Sequence, residues 1–323
     1  MPRAPPTVAQ ASLLAADQSL RLGLRRVTHN NSECIVALNA QPFWDWITER
    51  HRIYLKKAAG ERAPWTKDEI LQSYSFCNVF RELDKVTVWV REKWRDPYAD
   101  NPQLWIAMCL ARQVNWPDTL EEVGFPVHTY DAKAVRAALE ARKARGEKVY
   151  TGAYMISAPS GEFAGMAKPE YTAHVVVGAL WDARREFEAM FANGRQPTMQ
   201  EVHTWLRQFR GWGDFMAYEV VTDLRHTRYL RNAPDINTWA VAGPGAIRGL
   251  HRLHGRPYKR SLTQTQALVE MRELLEMSRT CLPDFIPPLE LREIEHSLCE
   301  TDKYLRVANG EGRPRAKYEG VPA

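Results

Sequence analysis

Five cysteines are scattered through the 323 residues, and no two of them form a C-x-x-C pair. Cys34, Cys77, Cys109, Cys281 and Cys299 therefore predict neither a disulfide scaffold nor a zinc ribbon, and a reducing cytoplasm is the expected setting. His251 and His254 lie at i, i+3 with no Cys or carboxylate spaced to complete a metal set, and the H-x-E with P-C-x-x-C pattern of zinc base deaminases is missing, so no metal is expected. The glycines Gly161 and Gly165 with Lys168 give G-x-x-x-G-x-x-K, which is not the phosphate-loop spacing, so no nucleotide site or organic cofactor is expected. No uninterrupted apolar run approaches a membrane span, and the opening MPRAPPTVAQASLLAADQ has no apolar core of signal-peptide length. Neither sign of charge dominates. The 44 Lys and Arg against 39 Asp and Glu give a net charge of +5, a mild basic excess that admits polyanions without demanding them.

What is present is 45% hydrophobic, enough for one large domain or two closely packed lobes with a real core. The pattern predicts a mainly α protein with few strands. Residues 1–30 read as a loosely held arm, first Pro and Ala rich and then basic; a helical domain is expected over 31–308, and a basic extended tail over 309–323. Ile70, Leu71, Tyr74, Val79, Leu83, Val86 and Val90 recur near helical spacing behind Thr66 and Asp68 as caps, which predicts a long amphipathic helix, broken at most once. A buried helix over Leu104 to Leu110 is expected to end at a working surface formed by Arg112, Gln113 and Asn115. A charged helix is expected over Ala132 to Lys148, and a short hairpin or irregular excursion between Tyr150 and Val177.

The most informative stretch is TMQEVHTWLRQFRGWGDFMAYEVVTDLRHT, residues 198–227, in which one helical pattern runs into Gly211-Trp212-Gly213 and a second begins at once. Glycines permit positive φ and clear the space in front of the second helix, so its first N–H groups can face a phosphate and clamp a nucleic-acid backbone whatever its sequence. The same glycines would serve equally as a helix C-cap. Ala233-Pro234-Asp235-Ile236-Asn237-Thr238-Trp239 follows, with Asp235 expected to open a further helix across 233–255. Gly243-Pro244-Gly245 reads as a break in that helix or a second anion-binding turn, and Trp116, Trp212 and Trp239 as core residues or base-stacking platforms.

Hairpin, helix, loop and Pro-Asp together resemble the helix-hairpin-helix DNA glycosylase superfamily, and LWIAMCLARQVNWPDTLEEVG, residues 104–124, is similar to the helix that precedes its base-facing loop. The resemblance implies a glycosylase-like helical fold with an N-terminal extension, DNA contacts at Gly211, Trp212 and Gly213, and a catalytic Asp235 accompanied by Asn237. Asp214 and Phe215 stand where bifunctional members carry a lysine, so Schiff-base lyase chemistry is not expected. FWDWITERHRIYLKKAAGERAPWTKDEILQSYSFCNVFRELDKVTVWV, residues 43–90, and IEHSLCETDKYLRVANGEGRPRAKY, residues 294–318, resemble the helical domain found with phage 5-hydroxymethyldeoxyuridine DNA kinases and the related α-glutamyl/putrescinyl-thymine pyrophosphorylases, or amino acid:DNA transferases.

That resemblance implies a step of thymine hypermodification, in which 5-pyrophosphoryloxymethyluracil in DNA loses pyrophosphate as an amine attaches to the 5-methylene carbon. The implied partners are double-stranded DNA carrying a modified thymine, a free amino acid or polyamine, and a 5-hydroxymethyluracil DNA kinase, in a host cytoplasm if the gene is a phage's. Asn78, Arg81 and Lys85 fall at i, i+3, i+7 and would set two cations and an amide on one helical stripe for the leaving pyrophosphate, with Arg50, Gln113 and Asn115 as further substrate contacts. The bland reading of that stripe is a solvated face shared with Glu82 and Asp84. Two other functions fit the same residues: a monofunctional glycosylase, with Asp235 stabilising an oxocarbenium ion, and a non-catalytic DNA-binding subunit of a modification complex.

Overall fold

The computed structural model describes residues 24–29, 32–37, 39–153 and 158–312. In chain order its principal elements are β1 (Leu24–His29), β2 (Ser32–Ala37), α1 (Gln41–Ala58), α2 (Glu69–Ser73), α3 (Lys85–Val90), α4 (Leu104–Val114), α5 (Pro117–Val123), α6 (Ala132–Ala144), α7 (Arg184–Met190), α8 (Met199–Leu206), α9 (Asp214–Leu224), α10 (Pro244–Leu253), α11 (Gln264–Cys281) and α12 (Leu291–Ala308). The fold is mainly α, as the patterning predicts. The described strands form one antiparallel ribbon that pairs Leu24 with Ala37 and His29 with Ser32. The ribbon begins inside the segment read as an arm; residues 1–23 of that arm, and 313–323 of the tail, lie outside the described residues.

Two compact units make up the chain: residues 1–79, 242–289 and 293–323, and residues 80–241 with 290–292. In the first unit α1 buries Phe43, Trp44, Trp46, Ile47 and Ile53, and ends on Lys56 and Lys57, whose charge suits a helix C-terminus. Asp68 caps α2 as expected, accepting from the N–H groups of Ile70 and Leu71 at 2.9 Å. The long helix expected over 70–90 does not form. The chain turns extended at Tyr74, makes one 3-10 turn at Arg81–Leu83 and resumes a helix only at Lys85. Residues Ser73, Ser75 and Asn78 compete with helical hydrogen bonding, and the Cys77 N–H is taken by Glu300 Oε2 of α12 at 3.0 Å.

Gly243-Pro244-Gly245 opens α10 instead of interrupting a helix. The Gly243 N–H donates to Glu295 Oε1 at 3.2 Å, and the two glycines Gly245 and Gly249 bring α10 against α12. A Cβ at Gly249 would lie 2.5 Å from the Leu298 carbonyl oxygen, a backbone atom that cannot rotate away. Gly249→Ala should therefore destabilise the protein by about 1–3 kcal/mol in urea unfolding. Gly213→Ala, where φ is −73° and the added methyl meets nothing within 4 Å, should stay within about 0.5 kcal/mol of the parent. Equal losses at the two positions would show that helix contact at Gly249 is not the cause.

The second unit is centred on α4, all eleven residues of which are buried. Trp105 stacks on Phe187 of α7 at 4.2 Å between ring centroids and meets Trp205 of α8 edge-on. The charged helix α6 forms as predicted, capped by Asp131. Between 158 and 177 no strand appears among the described residues; a 3-10 turn at Gly161–Phe163 leads into a π-wound run, Tyr171–Gly178. Helices α8 and α9 are joined by a short glycine-containing turn. Thr198 and Glu201 make a reciprocal capping box on α8, and the turn passes through Gly211 at φ +86°, where a Cβ would strike Val176 at 2.8 Å.

Candidate functional site

Helix α9 carries two carboxylates, Glu219 and Asp223, one turn apart on its buried face, with 2% and 4% of their surface exposed. Burying an ionised carboxylate is costly unless it is paired and hydrogen-bonded, and each of these is clamped by guanidinium groups. Arg112, reaching out of the apolar helix α4, holds both oxygens of Asp223 through Nε and Nη2, and donates its remaining Nη1 to Asn115 Oδ1 at 3.1 Å. The same Nη2 reaches Thr87 Oγ1 of α3 at 3.4 Å. Glu219 takes Arg81 on one oxygen and Arg292 on the other, the latter at 2.9 Å and lying over the Tyr218 ring. Within this trio two guanidinium groups share one carboxylate.

A third pair adjoins in the same unit: Arg95 grips Glu82 by two parallel bonds of 2.9 and 2.6 Å, with His226 at 3.7 Å. Burial pushes the Glu82 carboxyl up, but the Arg95 hydrogen bonds and the charges of His226, Arg95 and Arg91 outweigh it and hold the group below the usual carboxylate range. Burial lowers the His226 pKa, against the pull of Glu82. Burial pushes the Cys109 thiol far up and the Cys299 thiol up to about 12, so both stay protonated. The segment 81–95, α4, α9 and residues 290–292 thus converge on guanidinium groups fixed by carboxylates, an arrangement that can hold an anion without reorganising.

The residues singled out from sequence are not all brought together. Arg50 and Asn78 belong to the first unit and the remainder to the second. Arg50 donates to the Phe76 carbonyl at 3.2 Å and lines a cavity of about 60 Å³ with Lys57, Trp65, Tyr74 and Phe76. Asn78, Arg81 and Lys85 do not share a helical stripe, because the helix that would align them is absent: Asn78 is in extended chain, Arg81 in the 3-10 turn and Lys85 exposed at the start of α3. Asn115 ends α4 in the left-handed conformation at φ 46°, its side chain occupied by Arg112. Gln113 is fully buried.

Asp235 opens a turn and no helix, since the Thr238 and Trp239 N–H groups both return to its carbonyl. Its carboxylate instead seats the start of α8, accepting from the Met199 N–H at 2.7 Å and the Gln200 N–H at 3.0 Å; Asn237 is exposed. In the hairpin, Gly213, Asp214 and Phe215 are exposed at the start of α9, and Asp214 pairs with Arg207 at 2.8 Å. Trp212 is 1% exposed and its indole N–H donates to the Val176 carbonyl at 2.8 Å, so it braces the turn from inside and is no stacking platform. Trp239 packs between His203 and Tyr218. His251 donates its Nε2–H to the Arg260 carbonyl at 2.9 Å and His254 faces Glu270, two separate structural contacts.

Comparison with known proteins bears on what this arrangement serves. Residues 39–313 match the family model described as the 5-hmdU DNA kinase, helical domain. The chain belongs to that family. A 5-hmdU DNA kinase of Bacillus phage SP10 is 28% identical over 289 residues, covering 82% of this chain and 45% of the phage protein, so the chain spans less than half the length of that relative. No solved structure matches. The family match takes in every element from α1 to α12, and with them both units and the whole arginine and carboxylate cluster.

Sequence reasoning read Glu82 as part of a solvated face and passed over Arg95, Glu219, Asp223, His226 and Arg292. A signal did exist for two of them: Glu219 and Asp223 sit at i, i+4 in the otherwise apolar DFMAYEVVTDL, just as Arg112, already singled out, closes the apolar run of α4. Charges in a segment too apolar to be a surface helix are charges with a buried partner.

Proposed function

We propose that this family member acts on double-stranded DNA carrying a modified thymine, and joins a free amino acid or polyamine to the 5-methylene carbon of 5-pyrophosphoryloxymethyluracil. The C–N bond forms as the C–O bond to pyrophosphate breaks; the leaving group takes the electron pair, and the amine proton passes to a base. Developing charge on the leaving oxygens needs cations that are already in place. The observation that carries the reading is the trio in which Arg81 and Arg292 share Glu219, in a family whose named phage member is a kinase of 5-hmdU in DNA. Arg81 is the assigned pyrophosphate contact, with Lys85 at the adjoining helix start. The α8–α9 hairpin is the assigned backbone clamp of a glycosylase-like fold, through Gly211, Gly213 and the exposed start of α9, and Asp235 is the assigned proton acceptor. A kinase that phosphorylates 5-hydroxymethyluracil would supply the substrate and is the expected partner.

Nucleoside mass spectrometry of DNA containing the pyrophosphorylated base, after incubation with the protein and free amino acids, tests the reading. A mass gain on the base supports it. An abasic site would make the protein a glycosylase, and unchanged DNA a binding subunit. Arg81→Ala should lower transfer about a hundredfold while binding to plain duplex stays the same, and Arg81→Lys should lie between. Equal losses in transfer and in plain-duplex binding would reassign Arg81 to the DNA backbone or to holding Glu219.

A further inference from the structure

Helix α4 ends in a feature that neither the ion pairs nor the core explains. Gln113 is 0% exposed, yet neither its Oε1 nor its Nε2 has a hydrogen-bond partner among the described residues. Three residues on, the buried indole Nε1 of Trp116 is likewise without a partner, its ring face covered by the Lys148 ammonium at 3.8 Å. Between them the helix passes through Asn115 in the left-handed region, which is uncommon outside glycine. A buried carboxamide normally satisfies both its donor and its acceptor, because each group left unpaired forfeits the hydrogen bonds it made to water. Arg112, the preceding residue, shows the contrast, with its guanidinium bonded to Asp223, Asn115 and Thr87.

We propose that the Gln113 carboxamide, assisted by the Trp116 N–H, receives the polar edge of the extruded pyrimidine and is left unpaired until that base arrives. The inference rests on the reading that this protein takes a modified thymine out of the duplex. A carboxamide presents a donor and an acceptor side by side, and the uracil edge presents the complementary pair, an O4 acceptor beside an N3–H donor. Nε2 donates to O4 while Oε1 accepts from N3–H, and the Trp116 N–H provides a second donor for O2 on the far side of N3. The pyrimidine C5 substituent, where the chemistry takes place, lies on the other side of O4 from these contacts and stays clear. Gln113 thus fixes the base without touching the reacting carbon.

The experiment compares two duplexes that differ at one position, one carrying mismatched 5-hydroxymethyluracil and the other a tetrahydrofuran abasic analogue. The parent protein should bind the base-bearing duplex on the order of tenfold more tightly, the scale of one bidentate pair. Gln113→Leu should bring the two affinities together, while affinity for the abasic duplex is unchanged. Its melting temperature should hold or rise, because an apolar side chain of similar size removes two unsatisfied groups. Gln113→Leu that keeps the tenfold preference, or that lowers the melting temperature by several degrees, overturns the assignment and makes Gln113 a structural residue. If the parent protein itself shows no difference between the two duplexes, the extruded-base reading fails before Gln113 is reached.

Discussion

Asp223→Ala is expected to destabilise the protein by about 3–5 kcal/mol, the scale for breaking a buried ion pair from one side. Arg112 is 2% exposed, and the substitution removes the carboxylate that engages its Nε and Nη2, leaving the Asn115 and Thr87 oxygens to carry a full positive charge. The paired substitution Arg112→Met with Asp223→Leu should regain most of the loss, because apolar residues of similar volume often replace a buried ion pair at no net cost. Urea unfolding of the single and double variants measures both. Equal destabilisation of single and double would show that volume, not charge, is what the site requires. The double variant also tests function: if its stability returns while transfer to DNA does not, the cluster serves the reaction and not only the fold.

How much of this was legible from the chain depended on whether the deciding partner was near in sequence. Helix α4 follows from an almost unbroken apolar run and α6 from a charged, helix-prone one, whose cap, Asp131, lies only two residues from the N–H it accepts. The turn between α8 and α9 followed from glycine chemistry at Gly211, where φ is +86°. The break at Tyr74 did not, because the group that draws the Cys77 N–H out of helical geometry is Glu300, 223 residues away. Asp235 was legible as a cap and not as the cap of which helix, since the N–H groups it accepts lie 36 and 35 residues upstream. Trp212 carries an apolar body and a polar tip, and only Val176, folded back from the π-wound segment, decides that the tip faces inward. The arginine and carboxylate cluster is the extreme case. A pairing across 111 residues, as between Arg112 and Asp223, leaves no periodic trace.

Asp235→Asn separates the two roles that now fall on one carboxylate. Both of its oxygens accept backbone N–H groups of α8, from Met199 and Gln200, and each oxygen keeps a further lone pair with which to take a proton from the incoming amine. The amide turns one acceptor into a donor facing an N–H, and it removes a negative charge from the start of a helix, so stability should fall by about 1–2 kcal/mol. If Asp235 is also the proton acceptor, transfer should fall by roughly two to four orders of magnitude, and raising the pH should recover part of it by deprotonating the amine in solution. Thr198→Ala supplies the comparison, because it loosens the same helix start by removing the Thr198 oxygen that accepts from the Glu201 N–H, and leaves the Asp235 carboxylate intact. The expected result is a similar loss of stability in both variants with a large rate loss only in Asp235→Asn. Matching rate losses, or an Asp235→Asn protein that is less stable but fully active, would leave Asp235 as the anchor of α8 and transfer the proton to another group.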